Sequence, residues 1–490
     1  MNFIGRDRDR QILREALDSA EPELVAITGR RRVGKTFLVT EETRDCLTFS
    51  MTGVKGASLR EQLVNFSNGV QALVEPVQST DASPANHPTA PAAAKDWQSA
   101  FQKLTTLLQA KVANDERVVL FFDELPWLAS PRSRFMPAFD FFWNDWASKH
   151  ANVKVIICGS AASWMIERVI RNKGGLYNRV TRRIQIEAFT LAETKAFLES
   201  RGVTLSLRQI IEIYMVFGGI PHYLKEVRPG MSAKQNIEAS CFQTGGLLQD
   251  EYRHLYYSLF EQAERHHKVV EALAGRRRGM TRDQLIKETG LPSGGAFTNV
   301  LWELEASGFI GSFTPLSFGR AKKSKPVYVL KDGYTLFYLH WIRSAGPEFD
   351  WLQASQGAAW LAWSGLAFET VCFQHMAQIK QALGIRSVST SSAPWKRTGT
   401  KNEPGAEIDL LIDRADDCMN VCEMKFGQGE HVIDAAGARN LRNKSEVLRR
   451  VSKTRKALFV TMITVDGLFE NQWSGEVVSN EVTAADLFAD

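Results

Sequence analysis

The stretch Gly29-Arg30-Arg31-Arg32-Val33-Gly34-Lys35-Thr36 fits the spacing GxxxxGK[ST] in full. The chemistry of that pattern is phosphate binding. Its glycines let the backbone wrap tightly, so several N–H groups point inward at a helix N-terminus. Lys35 is placed to reach the β- and γ-phosphates of a nucleotide, and the Thr36 hydroxyl to ligate Mg2+. A second run, Val118-Val119-Leu120-Phe121-Phe122-Asp123-Glu124, is an apolar strand ending in two acids. Asp123 suits the metal's water shell and Glu124 the polarisation of an attacking water. Ser160, at the end of a third apolar run, either senses the γ-phosphate between these motifs or is an ordinary turn serine.

A further set of reactive side chains lies far downstream. Glu407–Asp413 and Val421–Phe426 read as strands joined by the turn Arg414–Asn420. Residues i and i+2 of a strand share a face, so Glu423 and Lys425 point together. If the two strands pair across the turn, Asp409 approaches Glu423. Carboxylates at that distance repel unless a divalent cation, Mg2+ or Mn2+, sits between them. A lysine beside such a metal can orient or activate water for attack on phosphorus. A lone Glu-x-Lys usually means solvent-facing charge; upstream, Glu369 lies in a helical stretch opened by Gly365-Leu366-Ala367-Phe368.

The elements that must hold these groups are legible. Leu24–Thr28, Cys46–Met51, Val118–Phe122, Val153–Cys158 and Arg183–Ile186 are short, nearly continuous apolar runs, as in a parallel sheet covered on both faces. Between them Leu59, Leu63, Phe66, Val70 and Leu73, then Trp97, Phe101, Leu104 and Leu108, recur at helical spacing. The alternation predicts an α/β core with helices on both faces. Residues 75–94 are rich in Pro, Ala and Ser without apolar periodicity and read as a flexible insertion in this core. From Phe189 to about Glu261 the chain turns helical.

The chain has 490 residues, 44% hydrophobic and 23% charged, which excludes a mainly disordered, collagen-like or disulfide-stapled protein. That length favours roughly three domains. No run approaches the length of a membrane span, and the polar start Met1–Arg10 does not read as a signal peptide. The six cysteines are scattered without a CxxC pair, which predicts free thiols and a cytoplasmic setting.

The net charge of +5 is unevenly spread: residues 264–331 carry twelve Lys and Arg against six acids, and the rest of the chain sums to −1. Within 266–335 the pattern predicts three helices and a β-hairpin. The helices are His267–Ala274, Arg282–Thr289 capped by Thr281, and one spaced by Ala296, Val300, Leu301 and Leu304. The strands Ile310–Phe313 and Val327–Leu330 flank a basic loop with Arg320, Lys322, Lys323 and Lys325. A helix-turn-helix followed by a cationic hairpin tip is a DNA-docking layout, the loop contacting phosphates. The same winged-helix layout also serves as a protein–protein or lid-extension module.

Phe3-Ile4-Gly5-Arg6-Asp7, the phosphate loop, the FFDE strand, Gly159-Ser160 and Gly218-Gly219-Ile220-Pro221 together resemble archaeal and bacterial P-loop ATPases of the AAA+/STAND-related group. Asp7 stands where that group usually has Glu. The resemblance implies that Phe3, Ile4, Gly5 and Arg6 lie against the nucleotide base and that a helical lid closes over it through Gly219 and Pro221. It also implies an extra strand between the two ATP motifs, here Cys46–Met51. Arg179, after Tyr177, matches a frequent basic position and is the foremost arginine-finger candidate, ahead of Arg182 and Arg183. Such a finger can come from a neighbouring subunit, hence a homo-oligomer. Asp409 followed by Glu423-x-Lys425 resembles the PD-(D/E)xK nuclease core, and Glu369 its N-terminal helix acid.

The resulting organisation is an ATPase core over 1–188 (insertion about 75–95), a helical lid over 189–262, a winged helix over 263–335, a connecting helical segment over 336–362 and a restriction-endonuclease-like α/β domain over 363–490. The function read from it is ATP hydrolysis by Lys35, Thr36, Asp123 and Glu124, coupled to DNA binding and to metal-dependent phosphodiester cleavage by Glu369, Asp409, Glu423 and Lys425. The alternatives are a non-cleaving nucleotide switch whose C-terminal domain is a binding platform, and an ATPase whose winged helix meets only its own lid or a partner protein.

Overall fold

The computed structural model describes residues 3–74, 94–130, 132–170, 178–276, 278–318, 324–400 and 403–489. Most of the expected insertion, Tyr177, and the loop residues Arg320, Lys322 and Lys323 lie outside them. The chain divides into two compact units. One runs from Arg6 to Glu187; the other runs from Ala188 onward and includes the few residues before Arg6.

In the first unit β1 (Glu23–Gly29), β2 (Leu47–Thr52), β3 (Val118–Asp123), β4 (Val153–Gly159) and β5 (Arg182–Ile186) form one sheet in the order β2-β3-β4-β1-β5. Every pairing is parallel. β1, β3 and β4 are buried at every position, which is why their sequences are mostly apolar, each with one buried charge, Glu23, Asp123 and Lys154. The strand at Leu47–Thr52 exists and lies between the two motifs in sequence. In the sheet, however, it takes the outer edge beside β3, and β4 is the strand inserted between the motif-bearing β1 and β3.

Helices α1 (Asp7–Asp18), α2 (Lys35–Glu42), α3 (Leu59–Gln71), α4 (Trp97–Ala113), α5 (Leu125–Leu128) and α6 (Phe135–Asp145) accompany the sheet. Capping boxes fix the starts of α3 (Ser58 with Glu61) and α4 (Asp96 with Ser99). One core cluster joins Phe49, Phe66, Trp97, Phe101, Phe122, Phe135, Phe139 and Phe142. Phe101 stacks on Phe142 at 4.8 Å between centroids, and Trp97 meets Phe135 edge-on at the same separation. This aromatic packing makes a rigid floor under the carboxyl ends of β3 and β4.

The second unit holds two further sheets. Helix Ala263–Ala274, β6 (Met280–Thr281), helix Arg282–Thr289, helix Gly295–Ala306, β7 (Ile310–Phe313) and β8 (Val327–Leu330) follow one another, the strands making an antiparallel sheet in the order β6-β8-β7. Thr281 caps its helix in a box with Gln284, and Gly290 ends it at φ 65°. The last sheet is ordered β13-β12-β11-β10-β9, from β9 (Thr390–Arg397), β10 (Ala406–Arg414), β11 (Cys418–Lys425), β12 (Ala457–Thr464) and β13 (Asn480–Val482). β9, β10 and β11 are antiparallel neighbours; β11, β12 and β13 run parallel, helix Ala435–Ser452 crossing between β11 and β12. Leu316 and Phe318, in the β7–β8 connection, pack against a core cluster that combines β9–β11 residues, among them Trp395, Leu411 and Val421, with Val447 and Leu448 of helix Ala435–Ser452.

Candidate functional site

At the end of β1 the chain turns through Gly29 at φ 151°, where a β-carbon would meet the Ile186 carbonyl oxygen at 2.3 Å. Arg32 at φ 70° and Gly34 at φ 96° complete a loop that delivers Lys35 as the first residue of α2. The buried Lys35 ammonium donates to the Gly29 and Arg30 carbonyls at 3.0 and 2.9 Å, folded across its own loop. The Thr36 hydroxyl donates to Asp123 Oδ2 at 2.7 Å, which brings together the two groups expected to share Mg2+. Asp123 Oδ1 accepts from the Glu124 amide at 2.9 Å. Glu124 sits at φ 49°, and its Oε2 accepts from the Ser160 hydroxyl at 2.8 Å and amide at 3.1 Å. Ser160 therefore does more than shape a turn: it holds the Glu124 carboxylate.

Of two further residues in this unit, Arg6 was expected against the nucleotide base, and Cys158 had no sequence signal. Arg6 is buried at φ 59° and donates to the Val33 carbonyl at 2.7 Å, so in this unit it braces the phosphate loop. Cys158 lies buried among Lys35, Asp123 and Glu124, and burial pushes its thiol well above the usual range. Phe3, Ile4, Gly5 and Pro221 belong to the second unit. There Gly5 leaves no space for a side chain beside Glu193, and Pro221 opens the short helix Pro221–Leu224.

The arginine candidates are not brought to the phosphate loop. Arg182 pairs in register with Val25, and its guanidinium faces Glu23 at 3.6 Å. Glu23 starts β1, and Gly29 lies six residues on, about 20 Å along the strand. Arg183 shares this end of the sheet with Arg182. Arg179 precedes β5, and its charge only partly counters the burial that raises the Asp140 carboxyl on α6. The phosphate loop lies at the carboxyl tips of these parallel strands, whereas Arg182 and Arg183 open β5 in register with Val25 and Ala26.

In the second unit the expected set does assemble. The β10–β11 register pairs Leu410 with Cys422, which sets Asp409 across from Glu423. A register shift in the β9–β10 pairing between Ile408 and Leu411 flanks Asp409, a kink of the kind that re-aims a side chain. Asp409 Oδ2 accepts from the Met424 amide at 2.9 Å. Burial, then the neighbouring Glu423, raises the Asp409 carboxyl above its ordinary range. Burial works against the Lys425 ammonium, but Glu423, Asp409 and Glu369 outweigh it and hold its pKa above the usual lysine value. Glu369, on helix Ala358–Gln374, is thus electrically part of the group. Lys425 reaches Glu423 Oε1 at 2.9 Å.

A second lysine, absent from the sequence reading, takes the other oxygen: Lys444, on helix Ala435–Ser452, pairs with Glu423 Oε2. Its signal was there, a lysine inside the buried stripe Ala438, Leu441, Val447 and Leu448. Among the described residues no group of three or more His, Cys, Asp or Glu side chains comes together as a metal site. Asp409 and Glu423 are the two carboxylates of this cluster that could hold a cation such as Mg2+, completed by water and substrate oxygens. Arg208, on helix Leu207–Phe217, lies 4.8 Å from the Phe426 ring centroid and 3.7 Å from Asp466. Of the four basic loop residues only Lys325 is described, and it pairs with Asp283 at 2.5 Å.

The glycine-bounded loop, the buried lysine and the threonine–aspartate contact on this sheet define a P-loop nucleotide-binding domain. Residues 3–227 match the family model of an ATPase domain found predominantly in Archaea. Over 417 residues the chain is 25% identical to an uncharacterized protein of Methanocaldococcus jannaschii, with 84% of each covered. Among solved structures it is similar to a Walker-type ATPase of Pyrococcus abyssi, at 18% identity and a TM-score of 0.48, covering 69% of this chain and 96% of that one. It is also similar to the ORC2 protein of Aeropyrum pernix in its ADPNP–ADP complexes, at 16% identity and a TM-score of 0.42, covering 72% and 97%. Among the described residues no helix is long and apolar enough to cross a membrane.

Proposed function

We propose that this chain hydrolyses ATP in its first unit and, in its second, engages DNA and cleaves a phosphodiester bond with a divalent cation. The observation that carries the ATPase half is the Thr36–Asp123 hydrogen bond, which joins the two motifs into one cation-ready pair. Positive φ at Gly29, Arg32 and Gly34 curls the loop, as a phosphate cradle requires. Mg2+ held there would neutralise charge on the β- and γ-oxygens. Lys35 would exchange the carbonyls of Gly29 and Arg30 for phosphate oxygens. Glu124 would leave Ser160 to accept a proton from, or orient, the attacking water. Arg179, Arg182 and Arg183 would act only on a neighbouring subunit's nucleotide, which makes a homo-oligomer part of this reading.

For the second unit, three helices with the antiparallel sheet β6-β8-β7 support a winged helix, and the Asp409–Glu423–Lys425 cluster with Glu369 nearby supports a nuclease-like core. Asp409 and Glu423 would hold Mg2+ or Mn2+, and Lys425 would orient water at phosphorus. One observation favours a second reading, the non-cleaving nucleotide switch: both oxygens of Glu423 are already held by lysines. Incubating the protein with duplex, single-stranded and branched DNA, with Mg2+ or Mn2+, separates the two. Cleavage that disappears in Lys425→Ala while ATP hydrolysis persists is the expected result. Intact DNA under all these conditions would leave the switch.

A further inference from the structure

Glu423 is gripped by two lysines of unlike setting. The Lys444 side chain is 10% exposed and comes from helix Ala435–Ser452, while the Lys425 side chain is 42% exposed and comes from the same strand as Glu423. A buried ammonium released from its carboxylate has no water to turn to, so its partner must stay. A half-exposed lysine on a flexible stem loses little by leaving. We propose that Lys444 is the positioning residue of this site: it holds Glu423 Oε2 permanently, so that Oε1 is the oxygen offered to a divalent cation, and Lys425 is the lysine that lets go. This deepens the metal-dependent reading above and rests on it. Lys425, once released, keeps its charge near the cluster and is free for a phosphate oxygen of the substrate. Asp409 and Glu423 would then be the residues that hold one divalent cation, with Asp409 steadied by the Met424 amide and Glu423 by Lys444.

The two lysines should therefore respond in opposite directions to removal, a contrast that a shared role as counter-charge does not give. Mn2+ binding to the full chain, followed by the electron paramagnetic resonance of free Mn2+, reads this without any cleavage. Asp123→Asn in every sample removes the phosphate-loop contribution. Lys425→Met removes a competitor for Oε1 and should tighten Mn2+ severalfold. Lys444→Met should weaken it by about tenfold, as loss of a ligand's orienting partner does, because Glu423 then turns both oxygens to Lys425. Lys444→Arg should restore most of the affinity, and thermal melting checks that each variant is folded. Tightening in both methionine variants would overturn the division of roles, as would unchanged binding in Lys425→Met. Binding that Asp409→Asn leaves untouched would instead remove the cation site itself, and with it the metal-dependent cleavage on which this inference rests.

Discussion

At the scale of single residues, the first unit is a set of charged groups held ready rather than at work. Lys35 spends its hydrogen bonds on its own loop, Thr36 on Asp123, and Glu124 on Ser160. In the proposed ATPase reading, each bond is to a group that a nucleotide, its cation or its water would replace. Glu124→Gln should keep ATP affinity and lower turnover by about 100-fold or more, as loss of a general base does. Ser160→Ala should have a smaller effect on turnover, because it frees the carboxylate without deleting it. Phosphate release with parallel nucleotide titration measures both; equal turnover in Glu124→Gln and wild type would exclude that carboxylate from the reaction. The phosphate loop was fully legible because its spacing is dictated by backbone geometry. Ser160 was readable only as one of two roles, since a hydroxyl's partner depends on how far the neighbouring strand tip reaches.

At the scale of elements, β1, β3 and β4 were readable to within a residue because their full burial leaves no alternation to misjudge, whereas β11 begins at Cys418, three residues before the expected Val421 and inside the expected turn Arg414–Asn420. The strand order of the first sheet was not readable, since sequence proximity of β2 to the phosphate loop says nothing about which strand is inserted beside β1. The arginines show the same limit. Arg179 was singled out by family likeness and not by position, and strand direction puts Arg182, three residues on, at the amino end of β5. Lys444 was missed because a helix's buried stripe is read for apolar residues, and a lysine within it is passed over. Helix ends carry a further consequence. His375, just past helix Ala358–Gln374, accepts from the Leu191 amide through Nε2 at 3.0 Å and so donates from Nδ1 to the Val371 carbonyl at 2.8 Å. Both bonds require the neutral ring, and burial holds its pKa below the ordinary histidine value. The unfolded chain binds this proton first, so the stability His375 contributes is present above the unfolded value near 6.5 and is lost as pH falls. Between pH 7.5 and 5.5 the loss should be at most about 1.4 kcal/mol, and His375→Gln should flatten it. Urea unfolding at the two pH values checks this; an identical slope in the variant would refute it.

At the scale of the molecule, the second unit is tied together by side chains from segments far apart in sequence. Arg208, from the helical stretch after Ala188, faces Phe426, the residue following Lys425, while Arg278 pairs with Glu407 on β10. Leu316 and Phe318 lie on the β9–β11 face. No sequence pattern announces such contacts, because each residue is unremarkable on its own element. Phe318→Ala should cost about 1–2 kcal/mol in urea unfolding, as expected for a half-buried aromatic. It should also open the β7–β8 connection to limited proteolysis; unchanged cleavage there would mean that the ring anchors nothing.

The seating of Leu316 and Phe318 on that far sheet also bears on how the protein is dissected. A fragment ending at 335 or 362 keeps these two apolar side chains and Arg278 but discards everything they rest on. Such a piece would carry a sticky, newly bared patch beside its basic hairpin, and weak or promiscuous DNA retention by it would reflect the scissors used and not the whole protein.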